Sequence, residues 1–378
     1  MFVLLACVAK YPSFRFAPDY TLGTGTSVLE GYRKQGKWAL CMYGFAEVAS
    51  IVSAPAALAL ITAGLATSIM GIDYRVQDVA TALALTTVGV VLFGRYRWVE
   101  RITKVLLVIM AISTVAATLA ILPKIDWSGG STVSFAQLDA RALLFMFALI
   151  GWMPSPLEVS VIHSLWSSAK ARDSGIAPPK SVARFDFDVG FFGAIAFAFC
   201  FGIMGAALIF GTGEPMPPDA APFATRLIGL YEQSLGEYAG PVVGIAAFTV
   251  MYSTLLAYFD GNARALATLV ARFRTSEASE RANVPGSDRR MTSLFLILIA
   301  ISCIAVTYLF ASSLSHIVDF ATTTSFVVAP IIAFLNYRAI TSEEVPNDWR
   351  PGPAMRRYAR ICVGVLAVAS MVVLASLL

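Results

Sequence analysis

A short stretch in the middle of the chain places helix-breaking residues and potential cation ligands inside an otherwise apolar segment. Residues 151–158 have the sequence GWMPSPLE. Pro154 and Pro156 each remove an amide donor and clash with a preceding carbonyl, and Gly151 stands just before them, so a continuous helix is not expected. These three residues predict a helix break at membrane depth.

Unwinding of a helix inside a membrane frees backbone carbonyl groups that can act as ligands. The carbonyl of Ile150 is expected to turn inward, and such oxygens bind cations where they face a cavity. Met153 adds a thioether, a soft donor that suits a transition metal better than Mg²⁺, Ca²⁺ or Na⁺. A proline kink with a packing methionine is the alternative interpretation of the same residues.

Two carboxylates lie within or beside apolar segments, where each must be paired, protonated or in contact with water. Glu47 is a candidate proton carrier, and the alternative is a structural ion pair with Lys10 or Arg15. Glu158 lies just past the break, where it would either face an inner vestibule or bind a neighbouring arginine.

A run of four hydroxyl residues lies in a later apolar segment, at positions 322–325 with the sequence TTTS. These side chains could line a permeation path, because polar groups within a membrane are costly and therefore often functional. The alternative is that they bond back onto their own helix, as threonines in membrane helices commonly do.

The composition places these residues in a membrane protein. Of the 378 residues 57% are hydrophobic and 14% are charged, and the mean hydropathy is +0.72. These values exclude a soluble enzyme, a nucleic-acid binder and a secreted disulfide scaffold. The five cysteines fall in apolar stretches without metal-site spacing and are expected to be packing residues.

Ten apolar stretches are long enough to cross the hydrocarbon core of a bilayer as helices. Their predicted bounds are 1–24, 38–67, 76–94, 102–122, 141–169, 187–211, 239–262, 291–311, 314–336 and 359–378. Most of the 28 lysines and arginines lie in or beside alternate connections, 25–37, 95–101, 170–186, 263–290 and 337–358. The positive-inside rule therefore predicts a multi-pass protein of the plasma (inner) membrane with these loops in the cytoplasm.

This orientation has a consequence for the first span. If the connection 25–37 is cytoplasmic, the first span runs inward and Met1 lies on the outer face. We therefore expect one further helix encoded upstream of Met1, with processing of a signal peptide as the alternative. The genomic sequence upstream of Met1 tests this expectation.

Two stretches resemble the Nramp (natural-resistance-associated macrophage protein) family of divalent-metal transporters. Residues 151–166, GWMPSPLEVSVIHSLW, resemble that family's broken sixth helix. Residues 10–32 resemble its second helix and inner loop in a bacterial branch. The resemblance implies an all-α polytopic membrane protein with the LeuT-type inverted-repeat transporter fold, about ten transmembrane helices, and the first helix of the fold missing.

The resemblance also divides the single transmembrane transporter domain, 1–378. It implies that residues 1–122 are the remainder of the first five-helix repeat, that 141–336 form the second, and that 359–378 form an extra C-terminal helix. In the family, the first helix carries an Asp-Pro-Gly-Asn-type break that supplies a carboxylate and an amide to the metal, and no residue here replaces them by position.

By resemblance, Met153 matches the family's metal-binding methionine and Ile150 its carbonyl donor. Thr323 falls near the polar ligand of the family's tenth helix. Ser155 stands where the family has a histidine. Of two paired acids in the third helix, Glu47 matches one and Ser50 replaces the other. The implied proton pathway contains Glu47, Glu158 and Ser155, and these departures leave proton coupling open.

The function that the resemblance implies is import of Mn²⁺ or Fe²⁺ by alternating access, linked or not linked to protons. The expected partners are the lipid bilayer and the transported divalent metal ion. No enzymatic activity, resident cofactor or nucleic acid is expected, and the oligomeric state is left open. The alternatives are a Mg²⁺, amino-acid or organic-cation transporter of the same fold, or a non-transporting truncated remnant.

Overall fold

A computed structural model describes residues 2–71, 74–93, 96–125, 146–147, 149–175, 178–209, 217, 219–274, 289–310 and 314–377. Over these residues the regular structure is helical, with a single 3₁₀ turn at Leu122–Lys124. The α-helices are α1 (Phe2–Thr24), α2 (Val28–Gln35), α3 (Lys37–Met70), α4 (Val76–Phe93), α5 (Tyr96–Ile121), α6 (Val159–Ser174), α7 (Lys180–Leu208), α8 (Ala220–Leu235), α9 (Ala239–Arg274), α10 (Arg289–Leu309), α11 (Leu314–Ile340) and α12 (Pro353–Leu377).

Eight of these helices are long and apolar enough to cross a membrane, as far as the described ranges extend: α3, α4, α5, α7, α9, α10, α11 and α12. They correspond to eight of the ten predicted spans. Helix α1 corresponds to the predicted first span and has 23 residues, but Lys10, Arg15 and Asp19 reduce its apolar character. Part of the predicted fifth span, 141–145 and residue 148, lies outside the described residues. The chain is a multi-pass membrane protein.

Several predicted connections contain helices. Helix α2 lies within the predicted loop 25–37, and α8 lies within the polar connection 212–238. Helix α7 begins at Lys180 instead of 187, and α9 continues to Arg274 instead of ending near 262. These bounds were wrong because hydropathy detects only the part of a helix that is apolar, and a helix can continue past the hydrocarbon into polar surroundings.

Helix α3 lies at the centre of the molecule. It packs against α4, α8, α9, α10 and α11. Its middle turns carry small side chains that are buried, namely Ala54, Ala56, Ala57, Ala59 and Ala63. Small residues let neighbouring helix backbones approach closely, which is a main source of packing energy between helices in lipid. Helix α3 therefore holds its polar residues in a fixed place inside the bundle.

Helix α1 packs against α6, α7, α11 and α12. The segment 341–350, which joins α11 to α12 and is called the strap below, lies against the end of α1. The Tyr20 hydroxyl donates a hydrogen bond of 2.6 Å to Oε1 of Glu344 in the strap. Lys34 forms an ion pair with the other oxygen of the same carboxylate. Glu344 thereby joins the strap to both α1 and α2.

A second set of contacts fixes the far end of the strap. The Trp349 ring lies so close to α1 that a Cβ atom at Gly23 would be 2.9 Å from it. The Lys180 ammonium lies 5.2 Å from the centre of the Trp349 ring and donates to the carbonyl of Asp348. A cation over an indole face is an attractive contact. The strap therefore also connects to the start of α7.

Candidate cation site at the interrupted helix

A helix ends and a new one begins within the predicted break. Residues 149–152 are helical, residues 153–158 are not, and α6 starts at Val159. The Met153 amide donates to the carbonyls of Leu149 and Ile150, at 3.1 and 3.3 Å, and the Met153–Pro154 peptide bond is cis. The carbonyl of Ile150, predicted to turn toward a cation, thus accepts one long hydrogen bond from its own chain.

Gly151 lets α11 approach the interrupted helix at backbone distance. A Cβ atom at this position would overlap the carbonyl oxygen of Thr322 and lie 3.1 Å from the amide nitrogen of Phe326. The neighbouring Trp152 indole donates a hydrogen bond of 3.2 Å to the hydroxyl of Ser325. The absence of a side chain at Gly151 therefore sets the spacing between the break and α11.

The backbone oxygens freed by the break are bound by a lysine side chain from α1. The Lys10 ammonium donates to the carbonyl of Gly151 at 2.6 Å and to the carbonyl of Ser155 at 3.2 Å. The whole Lys10 side chain is buried, with 0% exposed. A lysine amine therefore already lies between two backbone carbonyls at the break.

Glu158 faces two hydroxyl groups and binds no arginine among its described contacts. Its Oε1 accepts hydrogen bonds from the hydroxyls of Ser50 and Ser325, the second at 3.3 Å. Its Oε2 is buried and has no hydrogen-bond partner within the described structure. A buried carboxylate with one unused oxygen can accept a proton or bind a cation.

Glu47 is also fully buried, one turn before Ser50 on α3. The Tyr43 hydroxyl donates to its Oε2 at 2.9 Å, and its Oε1 has no described partner. Neither structural pair considered for Glu47 is among the described contacts: Lys10 donates to two backbone carbonyls, and Arg15 pairs with Asp19 at 3.3 Å. Glu47 and Glu158 are close enough to interact electrostatically.

The hydroxyl side chains at positions 322–325 of α11 make two kinds of contact. The Thr322 hydroxyl bonds back to the Val318 carbonyl at 2.8 Å, as expected for a threonine in a membrane helix. Ser325 instead reaches Glu158 and Trp152, so it joins the polar cluster at the break. Thr323, the predicted metal ligand of this run, is half-buried.

Asn336 is a buried polar residue that the sequence analysis did not single out. Its Oδ1 accepts a hydrogen bond of 2.6 Å from the Tyr32 hydroxyl. Its Nδ2 donates to the Ser13 carbonyl at 3.0 Å and to the Ser160 hydroxyl at 2.9 Å. It thus joins α1, α2, α6 and α11. In the sequence, an amide side chain within an apolar segment is the feature that could have identified this residue.

A cavity of about 550 Å³ adjoins the break. Trp152, Pro154, Ser155 and Pro156 form one wall, and residues of α3, α5, α6 and α9 form the others. The lining is mainly apolar, with a few hydroxyls that include that of Tyr258, which is buried without a described partner. Of the predicted site residues, Ser155 and the two prolines line this cavity.

The described residues contain no group of three or more His, Cys, Asp or Glu side chains that could hold a metal ion. A cation site at the break would therefore use backbone carbonyls, hydroxyls and a thioether with at most one or two carboxylates. That ligand set resembles the unwound-helix sites of membrane transporters more than the carboxylate or histidine clusters of resident metal centres.

A bundle of membrane helices, one of them interrupted beside a cavity, is typical of transporters with the LeuT-type fold. The crystal structure of a mutant manganese transporter from Eremococcus coleocola has this fold. It aligns with a TM-score of 0.66 and 13% identity, covering 98% of this chain and 78% of that one. The predicted fold class is confirmed.

The family is shown by the sequence itself. The model of the natural resistance-associated macrophage protein-like (Nramp) family matches residues 10–376, and the chain belongs to this family. An uncharacterized protein of Pasteurella multocida (strain Pm70) is 28% identical over 347 residues, which are 90% of this chain and 77% of that protein. The resemblance seen at residues 10–32 and 151–166 is therefore confirmed as membership.

Proposed function

We propose that this protein is a secondary transporter that imports divalent transition-metal cations, Mn²⁺ or Fe²⁺, by alternating access. The observation that carries the proposal is the helix interrupted at residues 153–158, which presents backbone carbonyls and a methionine within a bundle of the Nramp family. Interrupted helices are where transporters of this fold bind their substrates.

In this proposal Met153 contributes its thioether, Ile150 its carbonyl and Thr323 its hydroxyl to the transported ion. A thioether is a poor ligand for hard cations, so its presence favours Mn²⁺ or Fe²⁺ over Mg²⁺. The two inverted repeats would comprise residues 1–122 and 141–336, and α12 would be the extra helix. Rocking of one group of helices against the other would then expose the ion to either side.

Mn²⁺ uptake into proteoliposomes tests the role of Met153. We expect Met153→Ala to lower the apparent Mn²⁺ affinity by about tenfold or more, because a soft ligand is lost. The matched control is Met371→Ala, which makes the same change on α12 at a side chain that is 61% exposed. Equal uptake by Met153→Ala and the unaltered protein would remove Met153 from the ligand set.

Competition in the same vesicles separates the substrate classes. Inhibition of uptake by Cd²⁺ but not by millimolar Mg²⁺ supports the transition-metal assignment. Inhibition by Mg²⁺ or by an organic cation favours the alternative substrate of the same fold. Absence of both uptake and calorimetric metal binding in folded protein would instead support a non-transporting remnant.

We also propose that Glu47, Glu158 and Ser155 form a pathway for protons linked to metal import. The supporting geometry is the pair of buried carboxylates, each with one oxygen that has no described partner. The hydroxyls of Tyr43, Ser50 and Ser325 connect to these carboxylates and can relay protons, because a hydroxyl both donates and accepts.

A further inference from the structure

Lys10 holds a position that the proposed transport mechanism does not use. Its ammonium comes from α1 and donates to the Gly151 carbonyl, just before the helix break, and to the Ser155 carbonyl, within it. The side chain is completely buried, so these two carbonyls replace water as its partners. An uncompensated ammonium in this environment would be very costly, which makes both hydrogen bonds important to its stability.

The charges around Lys10 match the needs of a cation. The carboxyl group of Glu158 is close enough to interact with it electrostatically. Glu158 also interacts with Glu47 of α3, so both acidic groups and the Lys10 amine of α1 belong to one electrostatic cluster. Lys10 is the basic member of a cluster that contains two carboxyl groups.

An ammonium and a metal ion compete for the same kind of partner. Carbonyl oxygens of an unwound helix can bind either a transported cation or a lysine side chain. Two cations side by side in a poorly solvated site repel each other strongly. A divalent ion that entered the break would therefore meet a positive charge that already occupies two of the carbonyls.

We propose that Lys10 is an internal competitor of the transported cation: its ammonium, bound to the Gly151 and Ser155 carbonyls next to Ile150 and Met153, must move away before an ion can bind tightly at the Ile150 carbonyl and Met153. This inference rests on the proposed function. Lys10 thereby lowers the affinity for the ion and links ion binding to a movement of its own side chain. It acts as a specificity-determining residue, because only a cation that outcompetes an ammonium occupies the site.

Calorimetric titration of Mn²⁺ into the purified full chain tests the inference with two variants. Lys10→Met keeps the length of the side chain and removes the charge, whereas Lys10→Arg keeps the charge. We expect Lys10→Met to bind Mn²⁺ about tenfold more tightly, since no charge-assisted hydrogen bonds must be broken first. Lys10→Arg should bind as weakly as the unaltered protein.

A purely structural lysine gives the opposite result, because its loss would loosen the break and weaken binding. Equal or weaker Mn²⁺ binding by folded Lys10→Met therefore overturns the inference, as does absence of binding by that variant. Thermal unfolding of each variant in detergent establishes that it is folded before titration.

A measurement on the unaltered protein keeps the inference testable if Lys10→Met does not fold. Reductive methylation, followed by mass spectrometry, reports the reactivity of each lysine amine. Mn²⁺ should raise the labelling rate of Lys10 several-fold and leave that of Lys37, an exposed lysine at the start of α3, unchanged. An unchanged rate for Lys10 at saturating Mn²⁺ contradicts the inference.

Uptake separates the failure of this inference from the failure of the proposed function. If the unaltered protein transports Mn²⁺ while the Lys10→Met affinity and the Lys10 labelling do not change, the competitor role alone is wrong. If no variant binds or transports Mn²⁺, both the competitor role and metal transport are wrong.

Discussion

Three buried ionisable side chains, Lys10, Glu47 and Glu158, meet near the interrupted helix, and neutral groups provide most of their hydrogen bonds. Lys10 binds carbonyls, whereas Glu47 and Glu158 accept hydrogen bonds from hydroxyls. Ion pairs would fix all three charges in place. Neutral partners leave each group able to exchange a proton or a counter-ion, because no opposite charge is tied to it directly.

Replacement of Glu158 by glutamine tests proton linkage at this site. Glu158→Gln keeps an oxygen that can accept from Ser50 and Ser325 but can no longer take up a proton. We expect Mn²⁺-driven acidification of proteoliposomes, measured with an entrapped pH dye, to fall by at least about tenfold. Glu343→Gln is the control, since this glutamate is exposed in the strap. Full acidification by Glu158→Gln would exclude Glu158 from the pathway.

Met153, Glu47 and Glu158 were predictable from the sequence because each is an unusual residue in an apolar or broken segment. The role of Lys10 was not predictable, because its two partners are backbone oxygens more than 140 positions away in the sequence. Any residue type supplies a carbonyl, so no side-chain pattern marks such a partner. Only the packing of α1 against α6 brings the two together.

The contact between the break and α11 is the tightest packing feature among the elements of the site. We expect Gly151→Ala to destabilise the protein by about 3 kcal/mol, because the methyl group would overlap the backbone of α11, which cannot move aside cheaply. Chemical unfolding in detergent measures the change.

Gly190→Ala is the matched control for Gly151→Ala. Gly190 lies within α7, and a Cβ atom there would meet nothing within 4 Å. Alanine favours helix over glycine by about 1 kcal/mol, so this variant should be as stable as the unaltered protein or slightly more so. Similar stability of the two variants would contradict the close approach of α11.

The spanning helices were predictable, whereas α2 and α8 were not. A membrane-spanning helix is recognised in a sequence by about 20 successive apolar residues. Helix α8 has 16 residues and buries only one side, through Ala220, Ala224, Leu230 and Tyr231. Its sequence therefore looks like a polar connection, and its helical form depends on packing against α3, α5 and α9.

For the molecule as a whole, the distribution of basic residues predicts which face lies inside the cell. We propose a plasma (inner) membrane location, with the loops 25–37, 95–101, 170–186, 263–290 and 337–358 in the cytoplasm. The residues at 95 and at 275–288, among others in these loops, lie outside the described ones. The proposal therefore rests on the sequence.

Cysteine labelling in intact cells tests this orientation. In a Cys41→Ala background, an impermeant maleimide should label Tyr238→Cys, which lies between α8 and α9 at a side chain that is 95% exposed. The same reagent should not label Glu343→Cys in the strap until the cells are permeabilised. The reverse pattern would invert the proposed topology.

The fold is shared with a protein that is only 13% identical. In lipid, each spanning backbone must make its hydrogen bonds within the protein, which favours helices. The lengths of the apolar segments and the position of the break therefore predict the general arrangement of such a bundle. Hydropathy does not identify the side chains that join the helices, such as Asn336 and Tyr20. They determine the detailed packing and are visible only in the structure.

The contacts of α1 with the strap and with α12 also limit the order in which the bundle can be completed during synthesis. Tyr20 bonds Glu344 across 324 positions, and the Tyr358 hydroxyl bonds the Val8 carbonyl across 350. Contacts so distant in sequence form only after nearly the whole chain has left the ribosome. Helix α1 therefore enters the bilayer early but receives its final partners late, and its lysine remains without the carbonyls of the break until the middle of the chain has been inserted.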